Sequence, residues 1–479
     1  MGWFPVGIYR AKDLRCLRVL TSRWEVNAVA IHPAGRLIAI GTGAYDGGYA
    51  FEGELLLHDV ELGTTTSLLT AHRAIEALEW RDSETLAAVV APPTDEDVDW
   101  PHIVYESFEV RRQDWARVDR RSVDLKAEPS APTEAVEHDL SVLKDELVVL
   151  SKRSEMAWQP RRQVWAVVPT NHGVLVGLES AIESWDEQGN PLWRRAVDGA
   201  CTQLLPTATG PVVASLWRAP ETEFLTRATA VVALDEDSDA WTPLLEPGHP
   251  AVLIARSDGV LLVRNTQHGR SPQQAAVLTA TGEQLVHVEL SAYDLFNHYF
   301  DIRRAPEFLV LVGNDPESWK DKRVAVVRTG LTGRWSVRDL FPLAWANQRH
   351  VLGGPGVFLD DATGRAVVHT GIVHDFAGLQ RGNAFVVRRR YPDGKLVWHV
   401  ALDNQVTAID EFDGRIVVVT NIGELVMIDA ESGDILGREE RLAIDGHAVV
   451  PLSLALEPQG RAWIGTLDGR VIQATLNGS

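Results

Sequence analysis

A chain of 479 residues with 45% apolar and 23% charged side chains can bury a sizeable core and is not disordered in bulk. Its net charge of −20 argues against a surface built to displace counterions from nucleic acid or anionic lipid. Two cysteines, Cys16 and Cys201, are too few for a disulfide framework or a cysteine-rich zinc site, and they fit free thiols in a reducing cytoplasm.

The N-terminal Met1-Gly2-Trp3-Phe4-Pro5 runs straight into charged residues, without the apolar stretch and small-residue cleavage site of a signal peptide. No apolar run approaches the ~20 residues needed to span a bilayer. Almost nothing reads as a helix. Residues 14–20 read as a lone strand. Residues 26–33 and 36–43 form two strands around Pro33-Ala34-Gly35, and residues 53–61 and 64–72 form two more around Leu62-Gly63. Four antiparallel strands joined by short turns make a meander of one blade. Similar units start near Ala74, at residues 163–197, near Ala200, Ala251, His298 and Gln348, at residues 405–435, and near Val449. The steps are mostly about 40 to 50 residues, the period of propeller blades. Residues 119–161, interrupted by Pro129 and Pro132, read as a degenerate blade or an insertion. The last unit gives only three strands, so residues 14–20 are expected to supply its outer strand and close the ring.

Several segments carry a family resemblance. Ala30-Ile31-His32-Pro33-Ala34-Gly35-Arg36-Leu37, Leu69-Thr70-Ala71-His72, Gly446-His447 and Trp185-Asp186 resemble the segments of a WD40 repeat, with His58-Asp59 and Ile428-Asp429 in the place of its Trp-Asp pair. Asp393-Gly394-Lys395-Leu396-Val397-Trp398 and residues 423–433 resemble quinoprotein-type repeats. The resemblance implies an all-β fold: a multi-bladed β-propeller of four-stranded antiparallel blades, about eight or nine in one ring over residues 1–479, with two propellers as the alternative. It is specific for fold and not for function.

In such a meander the first-to-second and third-to-fourth turns share one face, and here they are trimmed. The second-to-third loops, on the other face, are long, and long loops on a rigid scaffold concentrate binding residues. They hold Tyr45 and Tyr49, Asp95 to Trp100, Trp217 and Arg218, Trp319, Lys320 and Arg323, and His374, Asp375, Phe376 and Arg381. Aromatics beside arginine are common interface anchors. The candidate partner-binding residues are therefore Trp217, Arg218, Trp319, Lys320, Arg323, Asp375, Phe376 and Arg381. The expected function is a non-enzymatic scaffold of a cytoplasmic complex that docks one or more proteins. The alternative is a propeller enzyme or small-ligand sensor with its site at the central channel.

Motif searches for a P-loop, His-Glu-x-x-His and Gly-x-Ser-x-Gly come back empty. Gly41-x-Gly43 followed by Gly47-Gly48 precedes no helix and reads as turn glycines. Asp95-x-Asp97-x-Asp99 with Glu106, and Asp235-x-Asp237-x-Asp239 with Glu246, have the spacing of calcium loops. Both lack the sixth-position glycine, where Trp100 and Ala240 stand, so no metal or cofactor is expected. His58, His72 and His447 are read as hydrogen-bonded blade residues instead of metal ligands. Without adjacent cysteines, the quinoprotein resemblance stops at the blade.

Overall fold

The computed structural model describes residues 4–9, 16–22, 24–45, 51–92, 105–131, 163–178, 180–197, 199–207, 211–217, 229–235, 240–266, 273–294, 300–314, 319–330, 333–348, 350–374, 382–444, 447–467 and 469–476. Over these the protein is all-β, with one short helical turn at Trp115–Arg117. The chain divides into two compact units. Unit 1 comprises Met1–Arg161, Asp375–Gln380 and Leu442–Val449, and unit 2 comprises Arg162–His374, Arg381–Arg441 and Val450–Ser479.

Unit 1 holds two four-stranded antiparallel sheets. One orders Val26–Ile31, Leu37–Thr42, Leu55–Asp59 and Thr64–Ser67; the other orders Ile75–Trp80, Thr85–Val90, Glu106–Arg111 and Ser130–Ala131. Alternation along the strands turns Ala39 and Leu57 toward Ile75, Leu86 and Val110, and Trp115 caps that layer. Gly41 lies inside a strand and not in a turn. A Cβ there would fall 2.5 Å from Ile75 Cγ2, and one at Gly43 would fall 2.5 Å from Ala74 Cβ. These glycines let two sheets approach closely, which corrects their reading as turn residues.

Among the described residues the last sheet has three strands, and the expected closing strand, described from Cys16, is hydrogen-bonded elsewhere. Cys16–Ser22 pairs with Phe4–Tyr9, because Leu20 finds its apolar contacts against Ile40 and Leu56 beside Val6 and Ile8. The expected degenerate blade is described only to residue 131. There Val123 bridges Leu69, and Ser130–Ala131 adds a short strand to Glu106–Arg111.

Over its described residues unit 2 contains seven antiparallel sheets in chain order. Sheet I runs from Val164–Thr170 to Pro191–Ala196, sheet II from Ala200–Leu205 to Trp241–Leu245, and sheet III from Ala251–Ala255 to Gln284–Leu290. Sheet IV is three-stranded, Phe308–Val312, Arg323–Thr329 and Trp335–Pro342. Sheet V orders His350–Asp361, Gly364–His374, Ala384–Arg390 and Leu396–Leu402, with Ile302–Arg303 added in parallel beside His350–Asp361. Sheet VI runs from Val406–Phe412 to Ile435–Glu439, and sheet VII orders Pro451–Leu456, Arg461–Thr466 and Val471–Thr475.

Each sheet buries its faces against its neighbours. Leu175 and Ile182 of sheet I meet Leu204 and Val212 of sheet II. Val213 and Val231 then meet Leu253 and Leu261, and Leu262 and Val277 meet Phe308 and Val310. Leu311 and Val324 meet Val351 and Phe385. The first strands of sheets V and VI, and of VI and VII, lie side by side. Ala455 and Trp463 of sheet VII pack on Val164 and Val176 of sheet I, where Ser453 Oγ donates to the Val164 carbonyl at 3.1 Å. Burial of such aliphatic side chains contributes about 1.5–3 kcal/mol each.

The recurring aspartates have a local cause. Asp186 accepts from the Gln188 and Asn190 amides at 2.9 and 2.7 Å. Asp59 accepts from the Glu61 and Leu62 amides, and Asp429 from those of Glu431 and Ser432. A carboxylate ending the third strand thus ties down the turn into the fourth.

Candidate interaction site

A polar assembly beside an exposed aromatic lies in unit 2, where sheets III, IV and V adjoin. Its base is buried. Arg264, at the end of Leu261–Asn265, donates to the Leu311 carbonyl at 2.6 Å and the Ser291 carbonyl at 3.2 Å. Its guanidinium carbon lies 5.1 Å from the Tyr293 ring centroid, and burial lowers its pKa to about 10. Next to Tyr293, Asp294 forms a buried ion pair with Lys322. Burial pulls the Lys322 ammonium below its ordinary value, against the opposing attraction of Asp294. A desolvated ion pair fixes geometry more than it stabilises, since desolvation offsets much of the attraction.

On this base sits residues 319–322. The Asn314 amide donates to the Lys320 carbonyl at 3.0 Å, and Asn314 Nδ2 donates to Asp321 at 2.9 Å. The Lys322 carbonyl accepts from the Leu343 amide at 2.8 Å. Asp321 holds a left-handed φ of 49°, sparsely populated for a residue with a Cβ. The result is Trp319 at 41% exposure, stacked on His350 with centroids 5.8 Å apart, and Lys320 Nζ 4.6 Å from the indole centroid. An exposed indole stacked on one ring and close to an ammonium offers a large apolar contact at small entropic cost.

The other sequence candidates are placed differently. Trp217 is half-buried at the end of Val212–Trp217, and its Nε1 donates to the Ala251 carbonyl at 3.1 Å, tying sheet II to sheet III. Arg323 forms an ion pair at 3.0 Å with Asp339 of its own sheet. Arg218, Asp375, Phe376 and Arg381 lie outside the described residues, as do Tyr49, Asp95 to Trp100, Asp237 and Asp239. Of the calcium-spaced residues, Glu106 is engaged by Arg73 at 2.8 Å. No metal-like cluster of His, Cys, Asp and Glu occurs among the described residues. The sequence reading missed Arg264, Tyr293, Asp294, Lys322 and His350. The signal that pointed toward them was a charged residue ending an apolar strand, Leu261-Leu262-Val263-Arg264, and a lysine in a chain where arginine dominates.

A second charged group joins residues 301–304 to the first strands of sheets VI and VII. Arg303 donates to the Leu454 carbonyl of sheet VII at 2.8 Å. Arg304, with φ of 62°, reaches Asp410 at 2.7 Å and Glu411 at 3.0 Å in sheet VI. Asp410 also accepts from the Leu456 amide at 2.8 Å. The Asp301 carbonyl receives the Gly356 amide, and burial pushes its carboxyl up to about 6, opposed by Arg303.

Among the described residues no helix is long and apolar enough to cross a membrane. Cys201 is a free, buried thiol whose pKa burial raises. No protein-family model and no curated protein matches this chain.

Proposed function

We propose that unit 2 is a seven-bladed β-propeller and that the protein is a docking module which binds a protein partner through Trp319. The ring reading is supported by the succession of seven sheets and by the packing of Ala455 and Trp463 on Val164 and Val176, which joins the last sheet to the first. In this reading Ile302–Arg303 crosses the centre, where Arg303 and Arg304 bind sheets VI and VII together. The binding reading rests on one observation: an exposed indole stacked on His350, three residues before Lys322 of the buried Asp294–Lys322 pair. An anchor of that kind commonly contributes ~2 kcal/mol or more to an interface. Trp319→Ala should therefore weaken partner capture tenfold or more while leaving the melting temperature of the isolated protein unchanged. The readout is quantitative mass spectrometry of proteins retained from native extract by wild type, by Trp319→Ala, and by a Gln188→Lys control on a trimmed turn. Equal capture by wild type and Trp319→Ala, with loss in the control, reverses the assignment of the binding face.

A second reading is supported by the Asp301, Arg303, Arg304 and Asp410 cluster, since convergent charge on first strands is what a propeller enzyme or ligand sensor needs. These groups already engage one another and backbone carbonyls, which favours a structural cross-link. A small molecule whose binding is abolished by Asp410→Asn, with no effect of Trp319→Ala, would move the function to the centre.

A further inference from the structure

Between sheets III and IV lies a buried charge that the docking reading does not use. Alternation turns Leu262 and Arg264 toward sheet IV, where Leu262 meets Phe308 and Val310. Gln273 lies on the same face of sheet III, two residues before Ala275 of that apolar layer, and it too is buried. Arg264 is 2% exposed. Its two terminal nitrogens donate to main-chain carbonyls, Nη1 to Leu311 of sheet IV and Nη2 to Ser291. Its Nε is buried and has no hydrogen-bond partner. The nearby Lys322 is balanced by Asp294, whereas among the described residues no carboxylate pairs with Arg264. The Tyr293 ring, with its centroid 5.1 Å from the guanidinium carbon, offsets only part of the desolvation. A cation removed from water in this way is costly unless an anion meets it. Burial lowers the pKa of Arg264 only to about 10, so the guanidinium stays charged at neutral pH.

We infer that Arg264 anchors a binding site for a small monocarboxylate, one oxygen of which accepts from Nε. One unbalanced positive charge calls for one negative charge. A dianion such as a phosphate monoester would bury a second charge with nothing to meet it. A carboxylate oxygen is a natural acceptor for a guanidinium N–H, and such charge-assisted bonds are the strong ones. The depth of Arg264 suits a free acid of a few atoms and excludes a side chain standing on the surface of a folded partner. This site is independent of the role proposed for Trp319.

The test follows the melting temperature of the full chain while sodium acetate replaces sodium chloride at constant ionic strength and pH. The wild type should show a saturable rise, because a ligand that binds only the folded state stabilises it by mass action. Arg264→Met should lose the saturable component, and Trp319→Ala should keep the wild-type response. If Arg264→Met does not fold, isotope-labelled arginine in the wild type decides: one solvent-protected Nε–H resonance should move with the acetate midpoint. An equal rise in wild type and Arg264→Met, or no moving resonance, overturns the inference. So does a wild type that melts alike in chloride and acetate, since a halide would then serve as well. The peptide acetyl-Gly-Glu-Gly-amide should produce no shift. If it binds as tightly as acetate, the carboxylate belongs to a protein and the small-acid assignment falls.

Discussion

His369 shows how one side chain ties stability to pH. It is fully buried, its ring edges against Phe300 and Phe385, with Nδ1 3.3 Å from the Thr370 carbonyl. Burial, helped by the charge of Arg389, pulls its pKa down to about 3. His58 in unit 1 is depressed to about 4, first by burial and then by Arg18. In the unfolded chain an imidazole takes up its proton near 6.5. Below that value the unfolded state binds protons that the folded state refuses, so stability falls as pH drops through the window from about 6.5 toward 3. Each such proton contributes a slope of about 1.4 kcal/mol per pH unit. Urea unfolding of His369→Gln between pH 6.5 and 4 should show a shallower slope than wild type, at a cost in stability at pH 7. An identical slope would mean that the imidazole is not held neutral. His58 was read as a hydrogen-bonded blade residue, and its Nδ1 lies 3.0 Å from Thr65 Oγ1; the role of His369 was not legible, because it depends on which strands close over it.

At the scale of the element, the turns were the most legible part of the chain. Asp59, Asp186 and Asp429 each end a third strand, and each accepts backbone amides of the next turn, so a local signature reported a local interaction. Asp59 is buried and also receives Arg36 at 2.6 Å. Burial pushes its carboxyl up, but Arg36 and the two amides outweigh this and hold it below the ordinary value. Asp59→Ala should cost about 1–3 kcal/mol in chemical denaturation, the usual effect of stranding the partners of a charged hydrogen bond. Asp186→Ala, at a less buried carboxylate, should cost less. A larger loss at Asp186 would contradict the role given to burial. Strand pairing between distant segments was much less legible. Residues 14–20 have the composition of a closing strand, yet Leu20 packs against Ile40 and Leu56, and a strand's sequence encodes its faces far better than its partner. The same holds for the candidate site. Trp319 stood out as a loop aromatic, whereas Asp294 and His350, supplied by other parts of the chain, were visible only once the sheets were in place.

For unit 2 as a whole, the proposed ring makes a cooperative prediction centred on Gly465. A Cβ there would fall 2.3 Å from Val164 Cγ1 and 2.3 Å from Ser453 Oγ, at the joint between sheets VII and I. Overpacking of this kind typically costs about 1–3 kcal/mol. In a closed ring Gly465→Val should accelerate amide exchange in sheet III as well as beside the substitution, because no sheet keeps both neighbours once the joint opens. Exchange confined to sheets VII and I would describe an open stack, in which each sheet depends on its neighbours alone. The all-β character and the repeated four-stranded meanders were legible from alternation and turn spacing. Two propellers stood only as the alternative reading, and the boundary between the two units was not marked, since the meander pattern runs through residues of both.

The joint at Val164 and Ser453 also sets the order of events during synthesis. Its two sides are 289 residues apart in the chain, so sheet I leaves the ribosome long before its final neighbour exists. Until then the apolar face bearing Val164 and Val176 has no cover, and the entropy of bringing such distant segments together, about 5 kcal/mol for a flexible chain of that length, is met only at the last step. A nascent chain stalled before residue 450 should therefore recruit chaperones that bind apolar β-surface, and release them once sheet VII has emerged.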